Sequence, residues 1–142
     1  MTINLTKLTS YRVIYGDTDQ MGVVYYANYL RWFERGRSEF LRQIGLPYAT
    51  IEAAGLHFPV AEVTCRYAQS ARYDDVIDIA TTLVDLSRAY LVFDYQISRQ
   101  ADQLSLATGS TKHACIDHEG QVKRLPKILL DAVELATRNS QD

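Results

Sequence analysis

The densest chemistry in this 142-residue chain lies in Gly16-Asp17-Thr18-Asp19-Gln20-Met21-Gly22-Val23-Val24-Tyr25-Tyr26-Ala27-Asn28-Tyr29. Two carboxylates stand among two glycines and three tyrosines. A carboxylate fixed in such a loop can take a proton from water as a general base, or attack a carbonyl itself. The helical pattern that begins at Asn28 supplies a second ingredient. The first turn of a helix has unbonded N–H groups and partial positive charge, which stabilise the oxyanion formed on an attacked carbonyl. The two together fit acyl transfer or hydrolysis. Tyr25, Tyr26, Tyr29 and Trp32 add apolar walls with polar tips, suited to an acyl or aryl group.

Other readings of the same residues compete. Asp-Thr-Asp also has the composition of an Asx-turn, in which the side chain only organises the backbone. Asp17, Asp19 and Gly22 match positions one, three and six of a calcium loop, but Met21 and Asn28 stand where an oxygen ligand and a Glu are required. That reading fails. G-x-S-x-G, P-loop, H-E-x-x-H and dinucleotide fingerprints are all absent. His57, His113 and His118 lack metal-ligand spacing, and His113 falls in a strand pattern that predicts a structural role. Cys65 and Cys115 fit neither a disulfide framework nor a zinc pattern and read as buried thiols.

The elements that must position the loop are legible from periodicity. Leu8 to Tyr15 alternates, with Tyr11, Val13 and Tyr15 on one face, and predicts a strand ending at Gly16-Asp17. From Asn28, a plausible N-cap, Tyr29, Leu30, Phe33, Phe40, Leu41 and Ile44 form one apolar stripe of a helix of roughly four turns. Glu34 with Arg37, and Arg35 with Glu39, have surface ion-pair spacing. Gly45 and Pro47 end the helix, and a short helical piece follows around Tyr48 to Ala54. Strands are expected at Val60–Tyr67, Val76–Leu86, Tyr90–Ser98 and Leu104–Ile116, with Gly109 a candidate bulge. Turns at Tyr73-Asp74-Asp75, Ser87-Arg88-Ala89 and Ala101-Asp102 predict hairpins between them. A last helix is expected over Lys127 to Thr137, with the tail from Arg138 to Asp142 frayed. The economical packing is an α+β arrangement, a curved antiparallel sheet around the long helix. The half-polar outer face of that sheet could serve a subunit interface.

Size and composition agree with one domain spanning residues 1–142. A formal net charge of −2 disfavours bulk binding to nucleic acid, while leaving room for a local basic patch that holds a phosphorylated group. No stretch approaches the ~20 apolar residues of a membrane span. The N-terminal MTINLTKLTSYRV lacks the apolar core of a signal peptide, so a cytoplasmic location is expected.

The run YGDTDQMGVVYYANYLRWFERGRSEFL closely resembles the signature of 4-hydroxybenzoyl-CoA thioesterase-like hotdog proteins, a family that includes the Tol–Pal-associated acyl-CoA thioesterases. The strand order and the late Arg124-Leu125-Pro126-Lys127 agree with it. The resemblance implies a hotdog fold that hydrolyses an acyl- or aroyl-CoA to the free acid and CoA. It implies dimers pairing into homotetramers, with sites at the dimer interface. It assigns catalysis to Asp19, as base or nucleophile, and the oxyanion contact to the backbone N–H of Tyr26. Asp17, Gly22, Val24, Tyr25, Asn28 and Tyr29 become supporting or pocket residues, and Arg88 a candidate for the CoA phosphates. Lys112, Lys123 and Arg124 are weaker candidates of the same kind. No metal or redox cofactor is implied; coenzyme A enters as part of the substrate. Tyr26 stands where some members carry His, which separates this chain from the His-bearing, short-chain branch. A non-catalytic acyl-CoA or lipid-binding module and an acyl-carrier-protein thioesterase are the alternatives on the same fold.

Overall fold

The computed structural model describes residues 2–140. In chain order the elements are β1 (Thr2–Arg12), α1 (Asn28–Gln43), α2 (Tyr48–Ala53), β2 (Leu56–His57), β3 (Val60–Tyr67), β4 (Val76–Leu86), β5 (Tyr90–Arg99), β6 (Ser105–Ala114), β7 (Ile116–Asp117) and α3 (Lys127–Asn139). Five strands form one antiparallel sheet in the order β1-β4-β5-β6-β3, and β2 pairs with β7 in a two-stranded clip. The inward faces follow the alternation read from the sequence. Ile77, Ile79, Thr81 and Leu83 of β4 and Leu91, Phe93, Tyr95 and Ile97 of β5 are all buried. Phe33 and Phe40 descend onto them from α1, and Phe33 stacks on Tyr95 with ring centres 4.4 Å apart. The sheet thus wraps around the long helix.

Four expectations are corrected. Residues 73–75 do not close a hairpin, because β3 pairs with β6 and not with β4. Only β4, β5 and β6 form the meander, and β3 returns to the far edge of the sheet. Along β3 the alternation is present but little is buried, since only Cys65 is better than exposed. The reason is dimensional: a helix about 10–12 Å wide covers two or three strands spaced about 4.8 Å apart. Here α1 packs on β1, β4 and β5, which leaves β3 uncovered. Third, Gly109 sits in regular register with Cys65 and Tyr95, so it is no bulge. It is glycine because a Cβ there would overlap the Phe33 ring and the Thr64 carbonyl. Fourth, neither predicted helix ion pair forms among the described residues. Glu39 pairs with Arg42, and Arg35 lies over the Tyr11 ring, 4.4 Å from its centre.

Several boundaries shift: β1 begins at Thr2 and not at Leu8, and the strand expected over Leu104–Ile116 breaks at Cys115 into β6 and β7. β1 stops at Arg12, and Tyr15 is exposed in a single 3-10 turn. At the other end α3 continues through Asn139, beyond the expected Thr137. Of the tail expected to fray, Gln141 and Asp142 lie outside the described residues. No helix among the described residues is long and apolar enough to cross a membrane.

Candidate active site

The loop between β1 and α1 is a miniature hairpin. Thr18 and Val24 bridge, the Asp19 N–H donates to the Val23 carbonyl at 2.9 Å, and the Gly22 N–H donates to the Asp19 carbonyl at 3.0 Å. Gly22 takes the left-handed conformation (φ 78°) that ends such a turn, where a side chain would be strained. The loop is tied to the segment after β3: the Val24 N–H donates to the Ala71 carbonyl at 2.9 Å, and the Ala71 N–H donates to the Tyr29 hydroxyl at 3.0 Å. Val24 and Tyr29 are therefore buried supports. Burial raises the Tyr29 pKa, which keeps its hydroxyl neutral.

The two aspartates are used differently. Asp17 Oδ2 accepts from the Tyr11 hydroxyl at 2.7 Å and from the Ile14 N–H at 3.0 Å. Its carbonyl accepts the Tyr25 N–H at 2.9 Å and the Asn28 amide Nδ2 at 2.8 Å. Asn28 was expected to cap α1 with its side-chain oxygen. Instead Ala27 occupies the N-cap without a side-chain bond, and Asn28 donates backwards to Asp17. Asp19 does make the Asx-turn, through Oδ1 and the Met21 N–H at 2.8 Å. Its Oδ2 accepts no hydrogen bond among the described residues. Each carboxylate keeps one oxygen unbonded among the described residues, but Asp17 is tied to Tyr11 and the Ile14 N–H through the other, whereas Asp19 holds only its own turn.

Asp19 lines a 310 Å³ cleft together with Met21, Val24, Tyr26, Tyr29 and Tyr67. Tyr67, from the end of β3, donates its hydroxyl to the Tyr26 carbonyl at 2.8 Å and meets the Tyr29 ring edge-on. Burial and then the neighbouring Cys65 push the Tyr67 pKa well above its usual value, so it stays a donor. Turns of the i to i+3 type start the helix from Tyr25, Tyr26 and Ala27 carbonyls, and no hydrogen bond among the described residues uses the Tyr26 N–H. Tyr25 and Tyr26 are exposed, with ring centres 4.7 Å apart. The arrangement holds a carboxylate, an unengaged N–H at a helix head and an aromatic-walled cleft within one loop.

Arg88 is not part of this group. It lies in the turn between β4 and β5, where its carbonyl accepts the Leu125 N–H. That turn is at the end of the sheet where β3 begins, whereas Asp19 is beside the end of β3 at Tyr67. Eight residues of β3 span about 23 Å. Lys112, Lys123 and Arg124 lie at the Arg88 end, Lys112 over the Tyr90 ring and Lys123 near Asp117. Tyr11 and Tyr67 are the participants that sequence reading missed. Local spacing carries no sign of the Tyr67 contact, 41 residues from Tyr26. The Tyr11–Asp17 contact, though only six residues apart, runs from a strand into a turn where neither helix nor strand periodicity applies. His57 and His118 meet at 2.9 Å across the β2–β7 clip, yet no metal-holding cluster of three or more His, Cys, Asp or Glu occurs among the described residues.

A sheet curled around one helix, with an acidic loop at the helix head, is the architecture of hotdog thioesterases. Residues 13–133 match the thioesterase-like superfamily, and the chain belongs to it. An acyl-CoA thioesterase of Haemophilus influenzae, YbgC, is 38% identical over 107 residues, 75% of this chain and 77% of that protein. The 4-hydroxybenzoyl-CoA thioesterase of a Pseudomonas species is 29% identical over 91 residues, 62% of this chain and 64% of that one. Among solved structures, a DHNA-CoA thioesterase from Staphylococcus aureus superimposes with a TM-score of 0.85 at 31% identity, covering 96% of this chain and 91% of that chain.

Proposed function

We propose that this protein hydrolyses acyl- or aroyl-CoA thioesters to the free acid and CoA, with Asp19 as the acidic catalyst. The observation that carries the reading is the division of labour between the aspartates: Asp17 is held through Oδ2 by Tyr11 and Ile14 outside the cleft, whereas Asp19 lines the cleft with its Oδ2 unbonded among the described residues. The Tyr26 N–H, at the positive end of α1, is the donor for the thioester oxygen as it gains charge. Asp19 either removes a proton from the attacking water, or attacks the carbonyl to give an anhydride that water then opens. In both routes the C–S bond breaks, and CoA leaves as a thiolate that takes up a proton. The chemistry draws on this chain's own groups and water.

The working unit in this proposal is a homodimer. β3 has a free edge with Val60, Val63 and Tyr67 exposed, and such an edge invites pairing. Antiparallel pairing of two β3 strands about a two-fold axis sets the Tyr67 end of one copy against the Val60 end of the other. Asp19 then faces the second copy's basic end, which supplies the charge for CoA phosphates. Two dimers meeting through the half-polar outer sheet face, around Thr64, Arg66, Thr82 and Asp94, give a tetramer.

Asp19→Asn tests the catalytic role. Turnover in a thiol-release assay across short, long and aromatic CoA thioesters is expected to fall roughly 10²–10⁴-fold with thermal unfolding unchanged. Undiminished turnover would remove Asp19 from the chemistry. Saturable CoA-thioester binding without thiol release, in the wild type, would make the protein a binding module. A single turnover in oxygen-18 water separates the routes, since label retained in Asp19 marks the anhydride.

A further inference from the structure

Tyr11 connects the body of the sheet to the loop that carries Asp19. Its ring packs against Trp32, with centres 6.0 Å apart, and beneath the Arg35 guanidinium. Its hydroxyl donates to Asp17 Oδ2 at 2.7 Å. The same aspartate, through its carbonyl, holds the Tyr25 N–H and the Asn28 amide, which flank Tyr26 on both sides. Asp17 is thus fastened to β1 at its side chain and to the helix head at its backbone. Thr18 alone separates it from Asp19. Burial first, and then the Asp17 carboxylate, raise the Tyr11 pKa, so the hydroxyl remains a donor at neutral pH.

We propose that Tyr11 is a positioning residue of the thioesterase site: through Asp17 it sets where the Asp19 carboxylate and the Tyr26 N–H stand relative to each other. The inference rests on the hydrolase reading above. Tyr11 does not line the Asp19 cleft but a separate groove beside Asp17 and Asn28, so on this proposal it acts on the Asp19 site through geometry, and the split between kcat and KM tests that. A hydrogen bond between a phenol and a carboxylate is among the stronger kinds, because the acceptor is charged. Catalytic groups misplaced by about 1 Å can lose about a hundredfold in rate. Removing one of two donors to Asp17 Oδ2 loosens the loop by less than that, since the Ile14 N–H remains.

Tyr11→Phe keeps the ring between Trp32 and Arg35 and deletes the hydroxyl alone. It is expected to lower kcat about tenfold with KM changed less than about twofold and the unfolding temperature near wild type. Asp17→Asn leaves a neutral oxygen that still accepts from Tyr11, so it weakens the same bond and is expected to lower kcat by less than Tyr11→Phe. Adding Tyr11→Phe to it should cost less than the roughly tenfold of the single change, because both act on one bond. Asn28→Ser removes the other side-chain tie to Asp17, and should likewise combine non-additively with Tyr11→Phe; it serves if Asp17→Asn does not fold. Wild-type kcat in Tyr11→Phe, a loss confined to KM, or a full tenfold on top of Asp17→Asn would each overturn the positioning role. A wild-type protein that releases no thiol from any CoA thioester overturns the hydrolase reading itself, and that outcome is read before any variant is made.

Discussion

The two ends of β3 carry opposite chemistry. Beside Tyr67 stand the Asp19 carboxylate, the head of α1 and a cleft walled by tyrosines. Beside Val60 stand Arg88, Lys112, Lys123 and Arg124, over a strand held from within by His113. The acidic end resembles a reaction centre, and the basic end resembles a phosphate anchor. Each is well formed, yet the length of a strand separates them. In the proposed dimer, one copy of the chain would hold two halves of two sites. The free edge of β3 is the element that can join them, because antiparallel pairing about a two-fold axis superimposes unlike ends.

The largest effect is expected from breaking that edge. Val63 lies near the middle of β3 and is exposed, so Val63→Lys puts like charges close together across the two-fold axis and blocks strand addition. Sedimentation should show the tetramer reduced to dimers held by the outer sheet face alone, or to monomers where that face does not hold by itself. The kcat/KM should fall about a hundredfold or more, the scale on which misplaced catalytic parts fail. A monomer that retains full activity would show that one copy contains the whole site, and the contrast between the ends would then have no catalytic meaning.

The basic end has its own weak point. The His113 Nδ1–H donates to the Phe58 carbonyl at 3.0 Å, which fixes the tautomer and makes Nε2 an acceptor for the Thr111 hydroxyl at 2.8 Å. Thr111 in turn takes the Tyr95 hydroxyl at 2.6 Å. Burial above all holds the His113 pKa down at about 4. In the unfolded chain a histidine titrates near pH 6.5, so between these values the unfolded state binds the extra proton. Stability is therefore full above about pH 6.5 and declines as pH falls towards 4, by a few kcal/mol at most. Urea unfolding from pH 8 to 4 should show this slope, and His113→Gln should flatten it. An unchanged slope in the variant would assign the acid sensitivity to other groups.

Periodicity foretold the inward faces of β4 and β5 and most of the stripe of α1, because each is governed by residues two to four apart. On α1 it erred at Leu30, which is exposed, and passed over Trp32, which is buried in its place. It failed where tertiary packing decides. Residues 73–75 had the composition of a hairpin turn, but β3 pairs with a strand some forty residues further on. Gly109 looked like a bulge, yet it is the space that Phe33 needs. The acidic loop was legible because its chemistry is compressed into fourteen residues. Its division into supporting Asp17 and catalytic Asp19 came only through the family resemblance and not from spacing, since the ties of Tyr11 and Asn28 to Asp17 are side-chain contacts that periodicity does not report.

The smallest expected effect sharpens the anchor. Arg88 is exposed in the β4–β5 turn, and a screened surface charge contributes little on its own. Arg88→Ala should raise KM for a CoA thioester by about two- to fivefold and leave kcat unchanged. The difference should shrink in high salt, where the Debye length falls to about 3 Å. Lys7→Ala, in the middle of the opposite edge strand β1, removes the same charge away from either end of β3 and should change nothing. Substrates lacking the CoA nucleotide should be indifferent to Arg88→Ala. Equal KM increases from the Arg88 and Lys7 variants would reduce the basic end to general electrostatic attraction, and leave the acidic end alone as the specific part of the site.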